Sequence, residues 1–374
     1  MTRTGTANAD IVVGLGWGDE SKGAAVDALA AWAVADGRAK EARVVRFNGG
    51  PQAAHNVRAG GRQHTFSSFG SGTFAGLATW LSSYCLVEPV AAAAERSALA
   101  VMGLEPALYV DADCLVTTPL HVAANLAREA ARGDGRHGTT GRGIGETVSF
   151  SLHMADAAPR ARDLASPSVF LAKARALADW YASEGLELGE LDSWLDPSRA
   201  QLTAAACFTV VPGEQLLAEL AQGYTIFEGA QGFWLDQSFG FQPHTTWSNT
   251  TPANARALGR AAGIKSVRTI GCIRTYATRH GAGPLPHEGK LAFEPLEPDN
   301  SAAGHAGRFR TALIDPDLLR AAIDQTMCNA LAVSHLDVFN EFQTAAGPVG
   351  LAEFGPLAMT GRGPDRTDRL AAAA

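Results

Sequence analysis

The sequence has little charge and no excess of basic residues. Only 18% of its 374 residues are charged, and 31 Lys and Arg stand against 38 Asp and Glu, which gives a formal net charge of −7. Binding of DNA or RNA without regard to sequence draws on clustered Lys and Arg. We therefore expect no nucleic-acid partner. Any anionic ligand would be bound by a few groups that lie close together.

Cysteine is scarce as well, and long apolar runs are missing. The five cysteines are far apart, form no CxxC pair and mostly lie in apolar, strand-like stretches: Cys85, Cys114, Cys207, Cys272 and Cys328. This pattern argues against disulfides and thiolate metal sites and favours buried free thiols in a reducing compartment. Residues 1–10 contain no apolar signal core, and no run reaches the roughly 18 apolar residues of a membrane span. We expect a cytoplasmic protein with no membrane partner.

No Pro-, Ser- or Gly-rich linker divides the chain, so we expect a single domain over residues 1–374. Short apolar stretches alternate with longer helical patterns, as in βαβ units. This alternation predicts an α/β fold, similar to that of P-loop NTPases, with a mostly parallel central sheet and flanking helices. Residues 165–220 are mainly helical in pattern and form a helical insertion. Residues 369–374 are expected to be a frayed or helical tail.

A glycine-rich stretch, GLGWGDESKG at residues 14–23, follows the first apolar run and precedes an alanine-rich helical pattern. Such a placement is typical of a loop that binds phosphate between a strand and a helix. An acidic pair, Asp19 and Glu20, stands where phosphate would approach. Taken alone, these two acids could instead cap the helix or interact with its dipole, and Lys22 could be a solvated surface residue.

Other glycine-rich stretches also follow strand or helix ends, where a doubly wound sheet gathers its ligand-binding groups, and they predict one shared cleft. Nine segments resemble, in chain order, the signature segments of the adenylosuccinate synthetase family over roughly residues 12–367. They are WGDESKG, RFNGGPQAAHN, GTTGRGIG, FEGAQG, TTWSNTT, TYATRHGAGPLP, GRFRTALID, HLDV and GPDRTD.

The resemblance implies a ligase that joins L-aspartate to the six-position of IMP through a 6-phosphoryl intermediate. GTP, or alternatively ATP, would donate the phosphoryl group. Phosphorylation turns the six-oxygen, a poor leaving group, into a good one, and it needs a base that removes the N1 proton. The family gives this role to Asp19, which would also hold Mg²⁺ with the backbone carbonyl of Ala54. Because Mg²⁺ is the largest local charge, a carboxylate beside phosphates is then no longer repelled.

The remaining roles are carried over position by position. The implied catalytic set is Asp19, His55 and Gln231. The implied contacts to the donor phosphates are Gly18, Glu20, Ser21, Lys22 and Gly23. The implied contacts to the substrate nucleotide are Gln52, Thr139, Thr140, Arg142, Gln231, Thr246 and His280. The implied contacts to the donor base are His335, Asp337, Gly361 and Gly363.

Arg308 and Arg310 match arginines of a loop that binds aspartate, and a planar guanidinium can grip a carboxylate with two bonds. The alternative for both is ordinary surface charge, and for His55 it is a structural role. Asp337 could accept from N1–H and the 2-amino group of guanine, a pattern that adenine does not offer. The family also implies a homodimer.

Several positions depart from the family pattern. In GGPQAAHN, Pro51 and Gln52 replace a His and an Asn, and Ala54 replaces a Gly. An Arg that reaches the substrate phosphate of the neighbouring subunit has no counterpart, since Met154 falls near its place. The segment between HLDV and GPDRTD is several dozen residues shorter than in typical members.

Three further departures lie around the substrate sugar and the donor base. His280 replaces a Val, His335 replaces a Lys, and Gly361 replaces a Ser. Three functions therefore stay open. The chain could be a shortened adenylosuccinate synthetase, or a relative that runs the same chemistry on another oxo-substrate or with another amine. It could also be a nucleotide-binding protein without catalysis.

Overall fold

The computed structural model describes residues 8–189, 192–296 and 307–372. The α-helices, numbered in chain order, are α1 (Lys22–Ala35), α2 (Pro89–Val101), α3 (Pro119–Ala131), α4 (Ile144–His153), α5 (Pro167–Ser183), α6 (Asp192–Ala204), α7 (Gly213–Leu220), α8 (Ala253–Ala261) and α9 (Pro316–Thr326). The strands are β1 (Ala9–Gly14), β2 (Ala42–Arg46), β3 (His55–Ala59), β4 (Arg62–Phe66), β5 (Thr79–Leu81), β6 (Leu86–Val87), β7 (Leu108–Asp111), β8 (Leu115–Val116), β9 (Thr209–Val211), β10 (Tyr224–Glu228), β11 (Val267–Arg274), β12 (Ala277–His280), β13 (Phe309–Ala312), β14 (Ala330–Ser334), β15 (Phe342–Thr344), β16 (Gly347–Val349), β17 (Leu357–Gly361) and β18 (Arg369–Ala371).

One large sheet organises the fold. Its strand order is β18-β17-β14-β11-β1-β10-β2-β5-β7-β9. Every neighbouring pair is parallel except β17 and β18, which are antiparallel. The predicted α/β class with a mostly parallel central sheet is confirmed.

Helices cover both faces of this sheet. On β1, Val12 packs with Leu29 of α1 on one face. Ile11 and Val13 pack with Leu258 of α8 on the other face. Successive strand residues point to opposite faces, so a sheet covered on both sides needs the uninterrupted apolar run that β1 carries.

Six neighbouring strands of the sheet are parallel and therefore end at the same edge: β17, β14, β11, β1, β10 and β2. The loops that leave this edge comprise residues 15–21, 47–54, 229–232, 275–276, 335–338 and 362–364. They contain most of the glycine-rich stretches of the sequence, so the fold gathers these stretches at one place.

Residues 165–220 are mainly helical, as their pattern predicts: they contain α5, α6 and α7, together with β9, which is an edge strand of the large sheet. The expectation for the end of the chain needs correction. The expected frayed or helical tail is instead β18 over Arg369–Ala371, because these residues pair with β17. Residues 373–374 lie outside the described part of the chain.

The five cysteines are free, and four of them are buried. Only Cys272 lies in a strand, so the expectation that most of them occupy strands was wrong. The others follow strand or helix ends, where a small apolar side chain fills space below a turn. Among the described helices, none has the length and apolarity needed to cross a membrane.

A buried histidine closes the start of α3. His121 stands at the third helical position, and its Nδ1 accepts the backbone N–H of Thr118 at 2.9 Å. The ring is fully buried beside Phe150 and Tyr181, and its Nε2 has no partner among the described residues. Since Nδ1 accepts, the neutral ring carries its proton on Nε2. Burial lowers the pKa of His121 to about 3.

We predict that His121 makes folding sensitive to mild acid. The pKa of His121 in the folded chain lies below its value in the unfolded chain. The contribution of the neutral ring to the free energy of unfolding is therefore complete above about pH 6.5 and is lost as the pH falls towards 3. Between pH 7 and pH 5 the loss is about 2 kcal/mol. His121→Gln keeps the acceptor that a capping box uses but does not titrate. Urea unfolding at both pH values should show a smaller loss in this variant, and equal losses would contradict the assignment.

Candidate active site

A cleft of about 1700 Å³ opens at the carboxyl edge of the parallel strands. It is lined by most of the residues that the sequence singles out: Gly18, Asp19, Ser21, Lys22, Gly23, Gln52, Ala54, His55, Thr139, Thr140, Gln231, Thr246, His280, His335, Asp337 and Gly363. The structure thus brings these segments into one cleft, as the glycine-rich stretches predict. Five predicted residues do not line it: Glu20, Arg142, Arg308, Arg310 and Gly361.

The loop after β1 folds around the carboxylate of Glu20. This side chain is buried, accepts the N–H of Gly18 at 2.7 Å and lies 3.2 Å from Nζ of Lys22. A Cβ at residue 14 would overlap the carboxylate, and one at residue 16 would lie 2.6 Å from it. The glycines therefore make room for an internal anion. The carboxylate of Glu20 is therefore directed into the loop and does not line the cleft, so a phosphate contact predicted at residue 20 would have to use its backbone.

The helix that follows begins without a side-chain cap. Ser21, at φ 59°, occupies the N-cap position and forms no capping hydrogen bond. Capping by the acidic pair is therefore not observed. The first turn of α1 has no acidic residue, and Lys22 with Gly23 borders the cleft. The first N–H groups of a helix lack intrahelical partners and carry a partial positive charge, so this end can receive an anion.

Asp19 is held on two sides, by the last residue of β11 and the last residue of β12. Its Oδ2 lies 3.4 Å from Nε2 of His280, and both side chains are partly exposed to the cleft. Its backbone carbonyl accepts from Nε of Arg274. The Arg274 guanidinium lies 5.7 Å from the ring centres of Tyr276 and Phe309. Sequence reasoning missed Arg274, because a basic residue at the end of an apolar strand gives no local sign of its partner.

His55 belongs to a buried network with Glu228 and Ser71. Nδ1 of His55 lies 2.5 Å from Oε1 of Glu228, which also accepts from the hydroxyl of Ser71, while its other oxygen accepts the Ser71 N–H. Burial would raise the pKa of Glu228, but the hydrogen bond and charge of His55 and the charge of Arg46 lower it to about 2. Burial lowers the pKa of His55, and Glu228 opposes this effect. Glu228 therefore stays ionised and orients the imidazole.

Glu228 was not among the predicted site residues, although it lies in the FEGAQG segment. The sequence signal that could have found it is its position as the last residue of a buried strand. A carboxylate buried there without a partner would be costly, so its presence implies a partner or a function. The same segment places Gln231, at φ 63°, beside Gln52, whose Nε2 donates to it at 3.5 Å. A Cβ at residue 232 would lie 2.5 Å from the nitrogen of Gly18, so this loop packs directly on the first one.

The GTTG loop is fastened to α3. The carboxylate of Glu129 accepts the backbone N–H groups of residues 137–139, and the hydroxyl of Thr139 contacts Asn125. Burial opposes ionisation of Glu129, but these N–H donors and Arg132 lower its pKa. Asn125 and Glu129 are four residues apart on the helix and so share a face. That spacing was visible in the sequence and could have assigned both residues to the loop.

The predicted aspartate-binding arginines lie outside the cleft lining. Arg310 makes two bonds to the carboxylate of Glu288, at 3.0 Å and 2.7 Å, and also donates to the carbonyls of Gly281 and Gly283. Arg308 is exposed and contacts the same carboxylate at 3.1 Å. Their hydrogen bonds and charges lower the pKa of Glu288. Much of the segment before them, residues 297–306, lies outside the described residues.

Two more expectations differ from the structure. Arg142 is exposed and does not line the cleft, and it stands between glycines with positive φ at residues 141 and 143. Gly361 is buried below the side chain of Arg369. At the same end of the cleft, burial and then the positive charges of Arg274 and Arg369 lower the pKa of His335 to about 2, so this ring is neutral.

Sequence comparison gives a consistent result over about nine tenths of the chain. The adenylosuccinate synthetase family matches residues 11–349. The adenylosuccinate synthetase of Neisseria gonorrhoeae is 32% identical over 89% of this chain and 78% of its own length. That of Anaeromyxobacter dehalogenans is 33% identical over 91% of this chain and 79% of its own length.

Two solved structures resemble the fold. The fully ligated adenylosuccinate synthetase of Plasmodium falciparum superposes with a TM-score of 0.76 at 18% identity, over 98% of this chain and 100% of that one. The succinoaminodeoxyadenylate synthetase of cyanophage S-2L, bound to dGMP and to dATP as an energy donor, superposes with a TM-score of 0.68 at 17% identity. The second match covers 98% of this chain and 96% of the other.

We predict that Glu228→Gln lowers the pKa of His55 further. The substitution removes the negative charge that favours the imidazolium but leaves the ring buried, so the pKa should fall by about 1 unit or more. Histidine resonances followed by NMR across a pH titration measure this shift. Glu129→Gln changes another buried glutamate, which binds the GTTG loop, and should leave the pKa of His55 unchanged. Identical His55 titrations in wild type and Glu228→Gln would refute the network.

Proposed function

The chain belongs to the adenylosuccinate synthetase family, and on this premise we propose that it joins L-aspartate to the six-position of IMP with GTP as phosphoryl donor. The observation that carries the proposal is the convergence of Asp19, Lys22 and His55 on one cleft at the start of α1. A base, a phosphate-binding cation and an imidazole are the groups that a phosphorylation followed by an amination requires.

Asp19 acts on the substrate purine. Its carboxylate takes the proton from ring N1, and the electron pair moves to the six-oxygen, which then attacks the γ-phosphorus of the donor. The bond from that phosphorus to the bridging oxygen breaks, and the nucleoside diphosphate leaves. His280 and Arg274 hold the side chain and the backbone of Asp19, respectively, so the base is oriented before the substrate arrives.

His55 acts on the transferred phosphoryl group. Because Nδ1 is committed to Glu228, Nε2 is the nitrogen that remains for a phosphoryl oxygen. To donate there, the ring has to be an imidazolium, and the ionised Glu228 supplies the opposite charge at 2.5 Å. A donor fixed in a buried site stabilises charge that develops on the phosphoryl oxygens. In the second half of the reaction the aspartate amine attacks C6, the C6–O bond breaks, and phosphate leaves with the proton that the amine gives up.

The donor set fits a magnesium ion that is held mainly by its substrate. Among the described residues no group of three or more His, Cys, Asp or Glu side chains could chelate a metal. Mg²⁺ in phosphoryl-transfer sites needs only one or two carboxylates and takes its other ligands from phosphates and water. Asp19 and the carbonyl of Ala54, both at the cleft, would be the protein ligands. The ion would neutralise charge on the transferring phosphoryl group.

A second candidate is the same chemistry on another oxo-purine. The neighbour from cyanophage S-2L carries dGMP and dATP, which indicates that this fold accepts a guanine nucleotide. In this chain the departures Gln52 and His280 both face the cleft, and His280 touches the proposed base. GMP differs from IMP only by the 2-amino group next to N1, so residues around Asp19 decide between these two substrates.

We predict IMP-dependent turnover and its loss in Asp19→Asn. The amide cannot remove the N1 proton, so turnover should fall by at least about 100-fold while GTP binding stays within a few-fold. The assay mixes protein, Mg²⁺, GTP or ATP, and L-aspartate with IMP, GMP or dGMP, and follows phosphate release and adduct mass. Turnover with GMP or dGMP alone would select the second candidate. Nucleotide binding without any turnover would support a non-catalytic protein, and unchanged turnover in Asp19→Asn would remove Asp19 as base.

We also predict that Glu288 competes with the amino-acid substrate. A dicarboxylate that is to be gripped by Arg310 has to displace Glu288 from it. Glu288→Gln weakens the internal pair, so the KM for L-aspartate should fall about three-fold or more while the KM for IMP is unchanged. Arg310→Lys should raise the KM for L-aspartate, because an ammonium cannot form the paired bonds. An aspartate KM unaffected by both changes would exclude Arg310 from aspartate binding.

A further inference from the structure

The last described strand carries an arginine into the cleft. Arg369 begins β18 and lies directly opposite Gly361 of β17. Opposite residues of an antiparallel pair place their side chains on the same face. A Cβ at residue 361 would overlap Nη1 of Arg369 and lie 2.8 Å from its Cζ. Gly361 is thus the position that the guanidinium covers, and a side chain there would displace it.

Arg369 lies beside the carboxylate that was predicted to contact the donor base. It lines the cleft together with Asp337 and Gly363, and its Nη1 donates to the carbonyl of Gly363 at 2.8 Å. Burial lowers the pKa of Arg369, and the charges of Asp368 and Asp337 oppose this effect. A guanidinium has five N–H donors, so it can hold this turn and a ligand at once.

Two departures of this chain from the family pattern lie next to Arg369, at the same end of the cleft. The Ser of the terminal turn is Gly361 here, and the Lys of the base segment is His335, whose ring is neutral because burial lowers its pKa to about 2. The hydroxyl and the cation that these positions lost are replaced by one side chain that enters from β18. A donor group is therefore kept at this end of the cleft, but from a new direction.

We propose that Arg369 selects guanine over adenine in the phosphoryl donor by donating to O6 and N7, while Asp337 accepts from N1–H and the 2-amino group. Guanine presents hydrogen-bond acceptors at O6 and N7, whereas adenine presents an amino donor at its six-position. With adenine, two donors would face each other, and no hydrogen bond could form between the amino group and the guanidinium. This inference rests on the proposed function only in that a purine nucleoside triphosphate occupies this end of the cleft.

Equilibrium binding of nucleoside diphosphates tests the proposal without any turnover. Calorimetric titrations of the full chain use GDP, IDP and ADP, since IDP keeps O6 and N7 but lacks the 2-amino group. We expect the wild type to bind GDP and IDP more tightly than ADP. Arg369→Met should reduce the affinities for GDP and IDP by about tenfold or more and change the affinity for ADP by less than about threefold. Asp337→Asn should instead reduce the preference for GDP over IDP.

Two further variants separate recognition from folding. Arg362→Ala removes an exposed arginine of the same turn that contacts Asn340 outside the cleft lining, and it should leave all three affinities unchanged. Gly361→Ser should push the guanidinium aside and reproduce the loss seen in Arg369→Met. The double variant Gly361→Ser/Arg369→Met should then bind GDP as tightly as Arg369→Met alone, because both substitutions remove the same interaction.

The outcomes distinguish this inference from the proposed function. An unchanged ratio of GDP to ADP affinity in Arg369→Met overturns the role of Arg369, even if IMP-dependent product forms. An equal loss for all three nucleotides also overturns it, since Arg369 would then only support the fold of the turn. A wild type that prefers GDP in the predicted way but forms no IMP-dependent product overturns the proposed function and leaves Arg369 as a guanine-reading residue.

Discussion

The parallel pairing of β1 with β10 on one side and β11 on the other fixes where the reactive groups of the cleft lie. β1 ends at Gly14, β10 at Glu228 and β11 at Arg274, and each strand end sends its loop to the same edge of the sheet. The loop after β1 carries Asp19, the end of β10 orients His55, and the end of β11 holds the backbone of Asp19. A shift in either pairing would separate Asp19 from His55, so the proposed chemistry depends directly on strand register.

Several of the groups that can bind anions are already hydrogen-bonded to carboxylates of the chain itself. Glu20 fills the loop after β1, Glu129 accepts the N–H groups of the GTTG loop, and Glu288 pairs with Arg310. Buried N–H groups and guanidinium groups are costly without partners, so a chain built to bind anions is stabilised when its own carboxylates satisfy them. An anionic ligand then exchanges one partner for another, and its affinity is set by the difference between the two.

The sequence predicts the local features well and the long-range partners poorly. The alternation of apolar strands and helical patterns was sufficient to predict the α/β class. The order of the glycine-rich segments was sufficient to predict the shared cleft. Glu228 was missed because its partner, His55, lies 173 residues away in the chain. Arg369 was missed because its role depends on which residue faces it across β17 and β18. Such cross-strand pairings follow from register, which no local pattern in the sequence specifies.

The place of β10 in the sheet has a consequence for the order of folding. β1 and β2 are consecutive strands, yet they do not pair, since β10 lies between them and comes almost 180 residues after β2. A chain that has folded only as far as α7 would therefore leave β1 without β10 and β11, its two partners in the sheet, and would expose the edge of β2 that β10 later covers. Such edges favour pairing with other chains. Insertion of β10 between β1 and β2 brings Glu228 to His55 in the same event, so the central sheet and the contact between these two residues form together.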